Sequence, residues 1–450
     1  MPVAQARRAP RIALALAGGG PLGAVYEIGA LCALTEAVPA LDLCALDHYV
    51  GVSAGGFIAA SLANGMTPHE LHAAFIDDAP PSADRFDPAW LMIPAWGEYL
   101  RRAARAPWIT SAVMWRLALG RSTLSSAAER LGPLLPTGVF ASDEIHRRLS
   151  RLFARSGRSN DFRQLRSRLT LVATDLDTGE AVPFGQPGWD HVPISRAVQA
   201  SAALPGLFPP VEIDGRTYVD GALKKTMHAS VALDEGVDLM LCLNPLVPFD
   251  ASPASPTSAS ATSGRSRARR PRIADGGLPA VLGQTFRAMI HSRMALGMKH
   301  YERAYPRTDM VLIEPDPRDP TLHQANTFSY RQRRELAEHA YAQTRAWLRR
   351  DAAQIGRKLA RHGLALDTAA LADSTRTLKQ AIADAVADAV ADTDAASTAA
   401  RHTTPQVSPH SDLGQAIGTL QQTLRHLEQH LELHLQQHHE RRLRAQHPCA

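Results

Sequence analysis

Cysteine is scarce in this chain of 450 residues, and basic residues only slightly outnumber acidic ones. The four cysteines, Cys32, Cys44, Cys242 and Cys449, are scattered and include no C-x-x-C pair. This spacing argues against a disulfide framework and a cysteine-based zinc site, and it favours a reducing compartment. The formal net charge is only +5. Because nucleic-acid binding needs clustered basic residues, we expect no nucleic-acid partner.

Long hydrophobic runs are missing too. The uncharged stretch from Tyr49 to Met66 contains glycine, serine and asparagine, which indicates a strand, a turn and a buried helix instead of a membrane span. Basic residues precede the apolar run from Ile12 to Ala17, as in a secretion signal, but the run continues into glycines without a clear cleavage site. We therefore expect the protein in the cytoplasm, where it is free to associate peripherally with a membrane.

Hydrophobic residues make up 45% of the chain, which is ample for a large buried core. Helical periodicity over Gly23 to Val38 and over Gly56 to Asn64 alternates with apolar runs of strand length. These runs lie at Ile12 to Ala17, His48 to Val52, Leu169 to Ala173, Ala181 to Phe184, Val237 to Leu243 and Met310 to Ile313. Such alternation predicts an α/β fold with a mostly parallel central sheet.

The segment from Gly51 to Gly55 reads G-V-S-A-G and fits the G-x-S-x-G pattern between a predicted strand and a predicted helix. Small residues beside a serine allow a strained turn that exposes its hydroxyl at the carboxyl edge of the sheet. Ser53 is therefore a candidate nucleophile, with Gly51 and Gly55 forming the elbow. Taken alone, the pattern also fits an ordinary glycine-rich turn between a strand and a helix.

A second glycine-rich turn, Gly18 to Gly23 (G-G-G-P-L-G), follows the first predicted strand. Its backbone N–H groups can converge on an oxyanion or on a phosphate. The spacing also satisfies the G-x-G-x-x-G dinucleotide fingerprint, for which Asp42 and Asp47 are only loosely suitable acidic partners. A Walker loop is excluded, because no Gly-Lys-Ser/Thr follows the glycines.

Asp220 ends a short predicted strand and is followed by Gly221 and Ala222. An aspartate at this place can face the serine across a cleft, although Asp-Gly is also a common turn pair. The order of glycine loop, G-x-S-x-G and D-G-A resembles the bacterial branch of the patatin-like phospholipase family. Two further blocks carry the resemblance, A-T-D-L-D-T-G at 173–179 and A-S-A-A-L-P-G-L-F-P-P at 200–210. The likeness covers residues 10–245 and continues more weakly to residue 345.

This resemblance implies a three-layer α/β/α sandwich and a serine lipid acyl hydrolase of the phospholipase A or lysophospholipase type. Such an enzyme works through a Ser-Asp dyad without a metal or another cofactor. Ser53 would attack the acyl carbonyl, and Asp220 would accept its proton and return it to the leaving alcohol. Backbone N–H groups of the loop would hold the oxyanion, and the implied members are Gly18, Gly19, Gly20, Leu22 and Gly23. The family often has arginine or lysine where Leu22 stands.

Other functions stay open on the sequence. A thioesterase or a polyester depolymerase would use the same dyad. A conventional Ser-His-Asp hydrolase needs a histidine after the acid, and His228 and His323 are available for that role. A non-catalytic lipid-binding scaffold is the alternative that is not an enzyme. The joint presence of Gly19, Ser53 and Asp220 speaks against it, because a scaffold does not need these three residues together.

Four of the six tryptophans lie in one short window, at Trp90, Trp96, Trp108 and Trp115. Four arginines share this window, at positions 101, 102, 105 and 116. Tryptophan combined with arginine is typical of the interface between water and an anionic lipid surface, so we expect lipid and a peripheral membrane surface as partners. An ordinary helical cap that packs its tryptophans onto the sheet is the alternative.

The predicted organisation is a catalytic domain over residues 1–350, with a flexible Ser/Pro-rich and then arginine-rich insertion at 251–275. An alanine-rich helix and linker follow over 351–410, and a helical tail follows over 411–450. Apolar residues spaced by three and four in the tail indicate a short coiled coil and self-association. Four tail histidines step by four residues, which favours a polar, pH-sensitive helix over a metal site.

Overall fold

The computed structural model describes residues 8–77, 91–119, 123–250, 252, 272–319, 321, 332–388 and 391. Two compact units divide the chain, at residues 1–383 and 384–450. The strands of the first unit are β1 Ile12–Leu16, β2 His48–Val52, β3 Arg168–Asp175, β4 Ala181–Phe184, β5 Val211–Ile213, β6 Arg216–Asp220, β7 Leu239–Leu243 and β8 Asp309–Ile313.

The helices of this unit surround the strands in sequence and vary widely in length. They are α1 Gly20–Ala37, α2 Ala54–Ala63, α3 Pro68–Phe75, α4 Trp96–Ala118, α5 Leu124–Leu131, α6 Asp143–Phe153, α7 Ile194–Ser201, α8 Ser230–Leu233, α9 Gly277–Ala304, α10 Arg333–Arg350, α11 Ala352–Ala360 and α12 Thr368–Ala372. Among the described helices, none combines the length and the apolar character that crossing a bilayer requires.

The described strands form one mixed sheet in the order β5-β6-β3-β2-β1-β7-β8, with β4 also paired to β3. Four consecutive pairs, from β3 to the edge strand β8, are parallel, namely β3-β2, β2-β1, β1-β7 and β7-β8. The pairs of β3 with β4, β3 with β6, and β5 with β6 are antiparallel. The predicted α/β fold with a mostly parallel sheet is confirmed, and the antiparallel pairing of β6 with β3 and with β5 is the feature that the strand pattern did not indicate.

Strand β1 shows why the sheet is covered on both faces. Leu14 and Leu16 belong to one buried apolar cluster, whereas Ala13 and Ala15 belong to another. Because successive side chains of a strand point to opposite faces, the two clusters lie on opposite sides of the sheet. Helices α1, α2 and α10 contribute to the first cluster, and α8 and α9 contribute to the second. This arrangement gives the three layers of a sandwich.

Several predicted features fall partly or wholly outside the described residues. These are most of the insertion at 251–275, the tail over 411–450 with its histidines, Trp90, His323 and Cys449. The other cysteines are free, Cys32 and Cys242 being buried and Cys44 partly buried. The chain is helical from residue 378 to residue 388, in the region where an alanine-rich helix is predicted.

Candidate active site

Ser53 lies in the turn that joins β2 to α2. Its φ of 55° and ψ of −125° form a backbone conformation that residues with a side chain rarely adopt. The Ser53 N–H donates to Ser201 Oγ at 2.8 Å, and the Ser201 hydroxyl donates to the Val172 carbonyl at 2.6 Å. These two hydrogen bonds attach the strained turn to β3 and hold Ser53 in the geometry of a nucleophile elbow.

The two glycines of the G-x-S-x-G pattern allow neighbouring backbone to approach this elbow closely. A Cβ atom on Gly55 would lie 2.4 Å from the carbonyl oxygen of Ala17, which follows β1. A Cβ atom on Gly51 would lie 2.5 Å from the Cα atom of Gly56. Both distances are far below van der Waals contact, so a side chain at either position would displace the backbone around Ser53.

Asp220 is the last residue of β6, and it is buried. Its backbone N–H donates to the Ala203 carbonyl at 3.0 Å, and its Oδ1 accepts the N–H of Ala222 at 2.9 Å. The Ser53 side chain lies close enough to the Asp220 carboxylate to stabilise its charged form. The fold therefore brings together the two residues that the sequence analysis selected, from two different strand ends.

Burial sets the proton affinity of this carboxylate. It raises the pKa of Asp220 from its ordinary value to about 6, while the nearby Ser53 side chain and the hydrogen bond from the Ala222 N–H act in the opposite direction. A carboxylate with a pKa near 6 is ionised at neutral pH, yet it is a stronger base than an exposed aspartate. These properties suit a group that accepts a proton from a serine hydroxyl.

The glycine loop from Gly18 to Gly23 lies directly against the elbow. A Cβ atom on Gly18 would lie 2.9 Å from Ser53 Cβ, and Gly20 begins α1 with a φ of 62° that favours glycine. The N-terminus of a helix presents N–H groups that lack acceptors inside the helix. The N–H of Gly23 is an exception, because it donates to the Gly19 carbonyl at 3.1 Å. In this structure the Gly23 N–H is therefore engaged within the loop, and its role toward an oxyanion stays a prediction.

A cavity of about 320 Å³ opens beside these residues. Its walls carry side chains from segments far apart in the chain, including Phe57, Leu91, Ile145, Leu207, Phe208 and Phe286. The polar side chains of the lining are those of Ser53, Asp220 and Arg287. A long apolar wall with the polar groups concentrated at a few points is typical of a site that binds a hydrophobic ligand.

A model of the family described as patatin-like phospholipase matches residues 14–233. This interval contains the glycine loop, the elbow and Asp220. Residues 14–233 are a patatin-like phospholipase domain. This match confirms the resemblance seen in the motifs. Both Ser53 and Asp220 lie within the matched domain.

Relatives of known sequence match a smaller part of the chain. Uncharacterized NTE family proteins of Mycobacterium tuberculosis and Mycobacterium bovis are 36% identical over 81 residues, which are 18% of this chain and 21% of those proteins. The chain thus matches about a fifth of the length of these relatives.

Solved structures from two bacteria have some similarity to this chain. VipD from Legionella pneumophila is 16% identical with a TM-score of 0.29, over 74% of this chain and 68% of VipD. ExoU of Pseudomonas aeruginosa, in its complex with SpcU, is 17% identical with a TM-score of 0.28, over 89% of this chain and 65% of that one.

The histidine of a Ser-His-Asp triad is missing from the described lining of the patatin-like site. His228 is buried elsewhere, and its Nε2 lies 3.2 Å from the Gly221 carbonyl oxygen. Burial lowers the pKa of His228 to about 4. The position of this histidine therefore favours the Ser-Asp pair over a triad with His228.

The dinucleotide interpretation of the glycine loop is wrong in this patatin-like domain. Asp47 accepts the N–H of Ile12 at 2.7 Å, at the start of β1, whereas the loop follows the other end of that strand. Asp42 accepts the N–H of Cys44 within its own turn at 2.8 Å. Neither carboxylate is available to a ribose near the loop. In the described part of the chain, His, Cys, Asp and Glu side chains do not gather in threes as metal ligands would.

The pKa of Asp220 gives the patatin-like site an expected pH profile. We expect kcat/KM for ester hydrolysis to fall about tenfold per pH unit below a pKa near 6, because a protonated Asp220 cannot accept the Ser53 proton. Initial rates on a neutral, soluble ester between about pH 4.5 and 8 measure this, with Ser53→Ala as the blank. A flat profile down to the lowest pH would contradict the role of Asp220 as the base.

Proposed function

We propose that this protein is a serine lipid acyl hydrolase of the phospholipase A or lysophospholipase type, with Ser53 and Asp220 as its dyad. One observation carries the proposal. A serine in the conformation of a nucleophile elbow and a buried carboxylate line the same apolar cavity. Strain at Ser53 and burial of Asp220 both cost folding free energy, and such costs are typical of functional sites.

The reaction follows from these two groups. Ser53 Oγ attacks the acyl carbonyl carbon while its proton passes to the Asp220 carboxylate. The tetrahedral oxyanion accepts hydrogen bonds from free N–H groups of the loop between Gly18 and Leu22. Collapse of this intermediate breaks the ester bond, and the leaving alcohol takes the proton from Asp220. Water then attacks the acyl-enzyme with Asp220 as base, which releases the fatty acid and restores Ser53.

The apolar lining supports an acyl chain as the bound group. Burial of hydrocarbon contributes roughly 0.8 kcal/mol per methylene, so a chain in this cavity is held mainly by the hydrophobic effect. Such binding positions the ester carbonyl near Ser53 without further polar contacts. The short acyl groups of water-soluble esters would fill less of the cavity and should therefore have higher KM values.

Products distinguish this function from its alternatives. The protein is incubated with phospholipid vesicles, with a long-chain acyl thioester and with an aliphatic polyester, and the released acids are measured by mass spectrometry. We expect fatty acid and lysolipid from the vesicles, and no product with Ser53→Ala. Release from the thioester or polyester alone would favour the thioesterase or depolymerase function, and no release from any substrate would favour a scaffold.

Helix α4 supports a second part of the proposal, that the protein works at a lipid surface. Of its 23 residues, only Glu98 and Val113 are buried. Trp96, Trp108 and Trp115 are 63%, 81% and 69% exposed, so the alternative in which they pack onto the sheet is wrong. Four arginines accompany a single acidic residue on this helix, which suits an anionic lipid surface.

The start of α4 is attached to the wall of the cavity. The Ala95 N–H donates to the Val139 carbonyl at 3.0 Å, and the Phe140 N–H donates to the Leu207 carbonyl at 2.8 Å. Leu207 lines the cavity, and so does Leu91, which lies a few residues before the start of α4. The neighbouring Met92 and Ile93 are exposed. An apolar surface that continues into the cavity would let a lipid pass from a bilayer to Ser53.

Removal of the exposed tryptophans tests this surface. The triple variant Trp96→Ala, Trp108→Ala, Trp115→Ala should bind anionic vesicles at least about tenfold more weakly, because each indole buries a large area at a bilayer interface. Co-sedimentation measures binding, and a soluble ester monitors the intact site. Leu176→Ala is the control, since Leu176 is also exposed but lies in the β3–β4 turn. Unchanged vesicle binding by the triple variant would contradict a role for α4.

A further inference from the structure

Arg287 stands on the inward face of helix α9. Gly283, Arg287, Ile290 and Met294 follow one another in steps of four, three and four, which places them on one side of a helix. Ile290 and Met294 are buried in the core. The opposite face carries exposed apolar residues such as Leu282 and Met289. Contact with water alone does not explain why a charged side chain occupies this inward position.

The surroundings of Arg287 are those of the candidate active site. Ile290 packs with Val52 and Ala222, the residues that directly precede Ser53 and follow Gly221. Phe286 packs against the same cluster and lines the cavity together with Arg287. Arg287 is thus the one cation in the described lining, which also contains Ser53 and Asp220.

Helix α9 is held firmly at this place. The Gln284 side chain exchanges two hydrogen bonds with the backbone of Phe249, at 3.1 and 2.8 Å. Thr226 Oγ1 donates to the Ile290 carbonyl at 3.2 Å, and Arg293 Nη1 donates to the Leu223 carbonyl, just beyond Asp220, at 2.8 Å. These contacts on both sides of Arg287 fix the position of its backbone relative to the site.

The guanidinium of Arg287 has no hydrogen-bond or ion-pair partner among the described residues. Burial lowers the pKa of Arg287, and no carboxylate acts in the other direction. The neighbouring Arg293, by contrast, donates to a carbonyl. A partly buried cation in an apolar wall is unfavourable unless an anion joins it. An anionic group of a bound molecule would supply such a partner.

We propose that Arg287 binds the phosphate of the lipid substrate and makes the site selective for phosphate-bearing acyl esters over neutral acylglycerols. The inference rests on the proposed function, because it assigns the head group of the same substrate whose acyl ester meets Ser53. Guanidinium and phosphate form paired, charge-assisted hydrogen bonds, which are among the strongest polar contacts. Leu22 leaves the glycine loop without a cation, so Arg287 supplies the positive charge of this cavity.

Two substrates that differ only in the phosphate test the assignment. One is a monoacylglycerol, and the other is the lysophosphatidic acid with the same acyl chain. For Arg287→Gln, the ratio of kcat/KM on the phosphate ester to kcat/KM on the neutral ester should fall about 10- to 100-fold, mainly through KM. Arg287→Lys should restore part of the ratio, since it keeps the charge without the planar fork. Arg303→Gln, an exposed arginine of the same helix, is the matched control.

Two results would overturn the assignment. An equal loss on both substrates would mean that Arg287 only supports the fold of the site. An unchanged ratio would mean that the phosphate binds elsewhere. The expected change in the ratio cannot come from general destabilisation, because destabilisation would affect both substrates alike.

A binding measurement separates this inference from the proposed function. Calorimetry with the Ser53→Ala protein compares decyl phosphate, decanol and inorganic phosphate. We expect decyl phosphate to bind most tightly and to lose at least about tenfold in affinity with Arg287→Gln. If the native protein hydrolyses no ester but decyl phosphate still binds through Arg287, the proposed function fails and the head-group site stands. Equal binding of decanol, or Arg287-dependent binding of inorganic phosphate alone, would overturn the lipid head-group site.

Discussion

Replacing Ser53 with alanine should lower kcat/KM for lipid ester hydrolysis by at least about 10³-fold, and Asp220→Asn should have an effect of similar size. Without Ser53 no acyl-enzyme can form. When an amide replaces the Asp220 carboxylate, the Ser53 proton has no acceptor, because the described cavity lining contains no histidine. The double variant should be no slower than the slower single variant, since the two residues act as one unit.

A control for the acid comes from the β5–β6 turn, which precedes the strand that ends at Asp220. Asp214→Asn is the matched control for the acid, because Asp214 lies in the hairpin that leads into β6 and is exposed. Its φ of 51° also suits asparagine. This variant should retain full activity. Ser53→Ala and Asp220→Asn must melt as the native protein does or at higher temperature, which calorimetry checks. Folded variants with undiminished activity would contradict the dyad.

Asp220→Asn also tests the cost of the buried charge. Folding raises the pKa of Asp220 from 3.8 to about 6, so the folded state binds more protons than the unfolded state between these values. Stability contributed by this group is therefore lost as the pH rises through that window. We expect Asp220→Asn to raise the free energy of unfolding at neutral pH by an amount on the order of 2 kcal/mol, because the amide carries no charge to bury.

Replacing Gly55 with alanine should destabilise the fold by about 3 kcal/mol or more. The new methyl group would lie 2.4 Å from the Ala17 carbonyl oxygen and 2.6 Å from Leu16 backbone atoms. Backbone at the end of a central strand cannot move aside as a flexible side chain would. The helix α2 must therefore shift away from β1, and with it Ser53. Denaturant unfolding gives the loss in stability, and the soluble ester gives the loss in rate.

The neighbouring glycine provides the control. A Cβ atom on Gly56 would lie 3.5 Å from Leu171 Cδ2, which is ordinary contact. Gly56→Ala should therefore be tolerated and should stabilise α2 by about 0.5 to 1 kcal/mol through the higher helix propensity of alanine. Equal stability of the two variants would mean that β1 and α2 do not approach each other as closely as the structure shows.

The elbow and its acid could be predicted from the sequence because each is a local pattern. Gly51 to Gly55 follows one predicted strand and Asp220 ends another, and the order of these motifs along the chain carried the family resemblance that relates them. The antiparallel approach of β6 to β3 was not readable in this way. It depends on pairing between Ala173 and Asp220, residues far apart in the chain.

The cavity wall could not be predicted, for a related reason. Leu91, Leu207 and Arg287 come from distant segments that no spacing rule connects. The inward position of Arg287 was the available signal, because it continues the helical spacing of Ile290 and Met294. That spacing becomes informative only once it is known which face of α9 meets the sheet. The same holds for the tryptophans of α4. The sequence shows that they cluster, but it does not show whether they face the sheet or the solvent.

Labelling of the folded protein with a fluorophosphonate tests the central claim most directly. The probe reacts with a serine only where a base activates the hydroxyl and an oxyanion site accepts the phosphoryl oxygen. Intact-protein mass spectrometry with peptide mapping should find one adduct, on Ser53, that is absent from Ser53→Ala and forms far more slowly in Asp220→Asn. Folded native protein that stays unlabelled, or that is labelled on a different serine, would contradict the assignment of Ser53 as nucleophile.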